Sequence, residues 1–96
     1  YSGHRVNIIL KEGMYYVYIL FSDKDGNLYI GSTPDLKLRI KKHQSGFVKA
    51  TKYRLPVRLI YYEAYLSPLD AKRREKFLKG GIGRGQLKIQ ARRNIS

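Results

Sequence analysis

The sequence predicts a small α+β domain: a three-stranded antiparallel sheet flanked by helices, in the order β-β-α-β-α. Three observations predict it. Residues 15–21 are all β-branched, aromatic or leucine, and Leu28 to Ser32 returns after an Asp25-Gly26 pair, a strong short hairpin signal. A third apolar and aromatic run covers Val57 to Tyr65, broken only by Arg58 and Glu63. Two helical segments follow the second and third runs, and each opens on a hydroxyl, a proline and an acid.

Thr33-Pro34-Asp35 supplies the first helix start, with the threonine hydroxyl as cap, proline at the first helical position and an acid in the first turn. This helix is expected to run to about Gln44 and stop at Ser45-Gly46. Leu36 and Ile40, four apart, form its buried stripe, while Asp35, Arg39 and His43 form a separate polar stripe that presents side chains to a ligand. Phe47 to Pro56 reads as a basic loop. Ser67-Pro68-Leu69-Asp70 starts the second helix with the flavour of a capping box, and Gly80-Gly81 ends it. A short basic helix from about Gln86 is also expected. Residues 1–13 read as a leader ahead of a natural start at Met14, residues 14–90 as the domain and residues 91–96 as a basic tail. The apolar run in the leader is too short for a signal peptide.

Ninety-six residues suffice for one domain with a modest core. Twenty Lys and Arg against seven Asp and Glu give a formal net charge of +13, a field that concentrates polyanions, so nucleic acid is the expected partner. No run approaches transmembrane length, and no stretch carries the Trp- and Phe-rich apolar face of an interfacial helix. A membrane is therefore not expected as a partner. Without cysteine there is neither a disulfide framework nor cysteine-ligated zinc. That leaves oxygen ligands and two histidines for a metal, and it fits a cytoplasmic protein.

From Lys37 to Arg58 the chain has eight basic residues and no acid. Lys37, Lys41, Lys42, Lys49, Lys52 and Arg54 are the candidate phosphate ligands, with Phe47 and the interleaved tyrosines available to stack on unpaired bases. A solvated surface is the bland alternative. Tyr18 and Tyr29 read as packing residues unless both face Arg39, and the hairpin register that would decide this is not fixed by spacing. Glu75 is the only acid after Asp70, and its bland reading is a helical partner for Lys79. Phosphodiester hydrolysis needs an activated water, a group that neutralises charge on the phosphate and usually a divalent metal. Tyrosine, arginine and glutamate can fill these roles. One carboxylate suffices for magnesium, which keeps waters and takes substrate oxygens.

Tyr16-Val17-Tyr18 and Tyr29-Ile30-Gly31, followed by Leu38-Arg39, His43, Ala71, Glu75 and Phe77-Leu78-Lys79, form an ordered set that resembles the GIY-YIG nuclease family, in particular its small single-domain bacterial members. Tyr16 stands where the first glycine of the motif would be. Ser32 stands where the excision-repair members have a lysine, a cation that Lys52 would replace, and the asparagine that many relatives carry after the glutamate helix has no counterpart except Asn94 in the tail. The resemblance implies that Tyr18 or Tyr29 is the general base or orients the water and that Arg39 stabilises the transition-state phosphate. His43 would assist proton transfer or phosphate contact, and Glu75 would bind a single Mg²⁺ or Mn²⁺, with no small-molecule cofactor. The expected function is a metal-dependent DNA endonuclease acting on branched or single-stranded DNA in repair or recombination, with a protein partner or homodimer to help find its target. The rival is a non-catalytic nucleic-acid-binding module on the same fold.

Overall fold

The first strand explains the architecture. In a computed structural model, which describes residues 13–80, Tyr16, Val17, Tyr18, Ile19 and Leu20 are all buried. A strand that is apolar at every position must be covered on both faces, because successive side chains point in opposite directions. Strand β1 (Tyr15–Ser22) accordingly lies at the centre of the sheet, between β2 (Leu28–Thr33) and β3 (Val57–Tyr65), and both pairings are antiparallel. Tyr18 pairs with Gly31 on one side and Tyr62 on the other, and a bulge in the β1–β3 ladder falls at Ile19/Leu20.

Helices α1 (Leu36–Gln44) and α2 (Pro68–Lys79) cover opposite faces. Leu36 joins Tyr16, Tyr18, Leu20 and Val57 in one core, while Ala71 and Leu78 join Val17, Ile19, Leu28 and Ile30 in the other. Each fully buried large apolar side chain contributes about 1.5–3 kcal/mol. The molecule is thus a three-layer α+β domain with the expected element order.

The start of α1 differs from the sequence expectation. Thr33 still belongs to β2, paired with Tyr16, so the helix begins two residues later, at Leu36. Asp35 is the cap, extended and accepting from the Leu38 N–H at 3.2 Å, and Thr33 Oγ1 accepts from the Asp35 N–H at 3.1 Å. Asp caps at least as well as Thr, and strand pairing decides between them. The second helix starts as expected: Ser67 caps by accepting from the Asp70 N–H at 3.4 Å, Pro68 occupies the first turn, and Gly80 follows the last residue. Within the basic loop, Lys52–Arg54 forms a 3₁₀ turn. The leader before Gly13, the helix expected from Gln86 and the basic tail lie outside the described residues.

Candidate active site

Strand alternation places Tyr18 on the α1 face, opposite Gly31 of β2. A Cβ added at Gly31 would lie 2.5 Å from the Tyr18 hydroxyl oxygen and 2.7 Å from Cζ, so the end of the phenol occupies the space a side chain would need. From there Tyr18 Oη accepts a long hydrogen bond from Arg39 Nε at 3.4 Å and shares a hydrogen bond with His43 Nε2 at 2.8 Å. The other imidazole nitrogen, Nδ1, shares a hydrogen bond with Thr51 Oγ1 at 2.7 Å, so both ring nitrogens are occupied. The Tyr29 ring meets His43 edge-on, with centroids 5.0 Å apart, and lies 6.3 Å from the Tyr18 ring.

The electrostatics follow from burial around one fixed cation. Burial pushes Tyr18 up to about 12 against the opposing hydrogen bond from Arg39, and the charges of Tyr29 and Glu75 add to the rise. Burial and then the Arg39 charge push His43 down to about 4. Arg39 is raised above the usual arginine value, first by its hydrogen bond with Tyr18 and in part by its interaction with Tyr29. At neutral pH the group is therefore a neutral phenol, a neutral imidazole and a guanidinium that faces both tyrosines.

Ser32, the residue after Gly31, points to the opposite face and donates to Glu75 Oε1 at 2.5 Å. Lys79 Nζ donates to Oε2 at 2.6 Å, and Lys72 Nζ lies 3.4 Å from Oε1. Burial works against the charge of this carboxylate, whose side chain is only 13% exposed, but the hydrogen bonds from Lys79 and Ser32 outweigh it and hold the pKa below the usual glutamate value. Two consecutive residues of β2 thus connect the phenol on one face to an ionised carboxylate on the other. Among the described residues no group of three or more His, Cys, Asp and Glu forms a metal cluster. One ionised carboxylate fits Mg²⁺ or Mn²⁺, which take waters and phosphate oxygens for their other ligands, and does not make a zinc cage.

The structure brings together Tyr18, Tyr29, Arg39 and His43, and holds Glu75 at the other side of the same strand. His43 departs from the polar-stripe expectation: it is 0% exposed, because its second nitrogen is tied to buried Thr51 rather than presented to a ligand. Lys37, Lys41, Lys42, Lys49 and Lys52 are exposed and form no ion pair among the described residues. Arg54 is placed differently from the other candidate phosphate ligands: it pairs with Asp25 at 2.6 Å and donates to the Leu28 carbonyl. Asp23 likewise pairs with Arg58, so the absence of acids between Lys37 and Arg58 is partly made up by the β1–β2 turn. Two participants escaped the sequence reading. Thr51 had no signal beyond a small hydroxyl in a basic loop, and Ser32 was visible only as a missing lysine.

Two phenols and a guanidinium on one face of the edge strand, with an ionised carboxylate on the other, thus lie beside cations that form no ion pair among the described residues. Residues 14–86 match the GIY-YIG catalytic domain, and the chain belongs to the GIY-YIG nuclease family. It is 45% identical over 65 residues to a UPF0213 protein of Streptococcus agalactiae, covering 67% of this chain and 73% of that one. Against a UPF0213 protein of Clostridium perfringens it is 39% identical over 83 residues, covering 85% and 88% of the two chains. The solution NMR structure of a UPF0213 protein from Bacillus halodurans shares 43% identity over 77% of this chain and 81% of that chain, with a TM-score of 0.49. No helix among the described residues is long and apolar enough to cross a membrane.

Proposed function

We propose that this protein is a metal-dependent DNA endonuclease that hydrolyses phosphodiester bonds in structured DNA, as repair or recombination requires, with a single Mg²⁺ or Mn²⁺ on Glu75. The observation that carries this reading is the chain of hydrogen bonds Arg39 to Tyr18 to His43 to Thr51, which fixes a guanidinium beside two phenols at a basic surface. Tyr18 is buried and its hydroxyl is already engaged by both Arg39 and His43, so it positions rather than reacts. Tyr29 is half-buried and faces the same guanidinium, which makes it the group to take the proton of the attacking water.

In this mechanism Tyr29 first gives its phenolic proton to solvent; the water oxygen then attacks phosphorus as its proton passes to the Tyr29 phenolate, and the bond to the leaving oxygen breaks as that oxygen takes a proton from solvent. Arg39 donates to the phosphoryl oxygens as charge accumulates there, and its hydrogen bond to Tyr18 keeps the guanidinium from swinging away. A divalent ion on Glu75 would supply charge neutralisation at the phosphate and the leaving oxygen. The binding-module reading has one observation in its favour: Lys79 and Ser32 already engage both oxygens of Glu75. Cleavage of plasmid and branched DNA in Mg²⁺ or Mn²⁺ decides between the two. The native chain cuts and Glu75→Gln loses at least about a thousandfold while still binding; binding without cleavage in both proteins leaves the non-catalytic module.

A further inference from the structure

The end of α1 has an unusual finish. The Gly46 N–H donates to the His43 carbonyl and the Phe47 N–H to the Lys42 carbonyl, with Gly46 at φ +84°, which together make a complete Schellman turn. In such turns the residue in the position of Phe47 usually packs an apolar side chain back on the helix. Here the facing helical position is Lys42, and the Phe47 ring is left 81% exposed. The backbone of Phe47 is therefore fixed while its ring stays in solvent. Beside it runs an open groove of about 570 Å³ with Leu38, Phe47 and Val48 as its apolar surface and Arg39, Lys41 and Lys42 along it. Arg39 belongs to both the groove and the candidate active site, so the two are continuous. Lys41 and Lys42 have no ion pair among the described residues, and no acid lines the groove.

A fixed, exposed aromatic ring flanked by uncompensated ammonium groups is complementary to one occupant: a base that is free to stack, attached to phosphates. We infer that this groove binds an unpaired nucleotide, its base stacked on Phe47 and its phosphates on Lys41 and Lys42, with the strand leaving the active site past Arg39. The substrate class is then nucleic acid with a single-stranded segment next to the phosphodiester to be cut. A base inside a duplex has both faces covered by its neighbours and cannot take this ring. The inference deepens the nuclease reading and rests on it only for what happens at the other end of the strand; the groove itself stands or falls on binding.

The chain contains no tryptophan, so Phe47→Trp introduces a single indole, excited apart from the tyrosines, at the proposed contact. The experiment titrates this variant, the native chain and Phe47→Ala with a single-stranded DNA oligonucleotide, an RNA of the same sequence and a blunt DNA duplex of the same length, all without divalent metal. The expected result is quenching of the indole by the single strands and not by the duplex, together with roughly tenfold or greater weakening of single-strand binding in Phe47→Ala at an unchanged salt slope. Duplex affinity in Phe47→Ala is expected to stay within about twofold. Equal quenching by DNA and RNA defines the ligand as an unpaired base on either sugar, and quenching by DNA alone adds selection at the sugar. Absence of quenching, or an equal loss for duplex and single strand in Phe47→Ala, overturns the proposal. Because no metal is present, an inactive Glu75 site leaves these outcomes untouched, and an active nuclease that fails this test loses only the groove.

Discussion

The two helices of this domain carry similar numbers of cations and treat them in opposite ways. On α2, Lys72 and Lys79 hold Glu75 and Arg74 holds Glu63 through two hydrogen bonds. On α1, Lys37, Lys41 and Lys42 have no acidic partner among the described residues, and the single buried titratable group, His43, is kept neutral between a phenol and a hydroxyl. One interface is thus stabilised by ion pairs, the other by neutral hydrogen bonds beneath an uncompensated positive surface. The difference teaches that compensation is not spread evenly: among the described residues acids hold Lys72, Arg74 and Lys79 of α2, while no cation of α1 has an acidic partner.

The largest expected effect separates the two sides by pH. His43 has a native pKa of about 4, below its unfolded value near 6.5, so the unfolded chain binds more protons between these values. Its contribution is complete above pH 6.5 and is lost as pH falls toward 4, on the order of 3 kcal/mol in all. Glu63, held at about 2 against an opposing burial effect by Arg74, Tyr61 and Tyr65, also has a depressed pKa. Its contribution is lost only below its ordinary value near 4.3, and after allowance for partial exposure it is roughly 2 kcal/mol. Denaturant unfolding measured from pH 7 to 3 should therefore show a first decline that His43→Gln flattens and a second that it leaves in place. A decline between pH 6.5 and about 4.5 that survives His43→Gln breaks the comparison.

A smaller effect sharpens it at β2. Gly31→Ala sets a methyl group against the Tyr18 phenol, an overpacking expected to cost about 2 kcal/mol and to pull the hydroxyl away from His43. Thermal or urea unfolding measures the first consequence, and a rise in the His43 pKa followed by NMR measures the second. An unchanged imidazole titration would show that the phenol has another place to go. The smallest effect lies at the surface. Lys41→Gln with Lys42→Gln should flatten the salt dependence of DNA binding by about two logarithmic units of slope, whereas Lys72→Gln, whose ammonium group already pairs with Glu75, should flatten it by less than either.

What could be read in the sequence follows the reach of each signal. β1 announced itself as a strand and half of a hairpin, and Ser67-Pro68 and Gly80 fixed the bounds of α2, because these signals act over a few residues. The start of α1 slipped by two residues because Thr33 was claimed by pairing with Tyr16, a partner 17 positions away. The site was visible as a set of residue types, yet its geometry was not. Register decides that Tyr18 meets Gly31, and tertiary packing decides that Thr51 reaches His43 and that Asp25 takes Arg54. Periodicity on α1 correctly placed Arg39 and His43 on one line but could not say that the line turns inward at its end.

The central position of β1 also has a kinetic consequence. Its second partner starts only at Val57, and Tyr15 pairs with Tyr65, so half of its backbone hydrogen bonds wait for the far end of the sheet. At synthesis rates of about 5–20 residues per second, the β1–β2 hairpin emerges seconds before β3 can close its open edge. During that interval a seven-residue stretch of aromatic and branched aliphatic residues, Tyr15 to Phe21, is available for pairing with another nascent chain. The flanking lysines and the positive charge of the helix that follows repel such encounters, so the same surface cations that await a polyanion also guard the chain while it is being made.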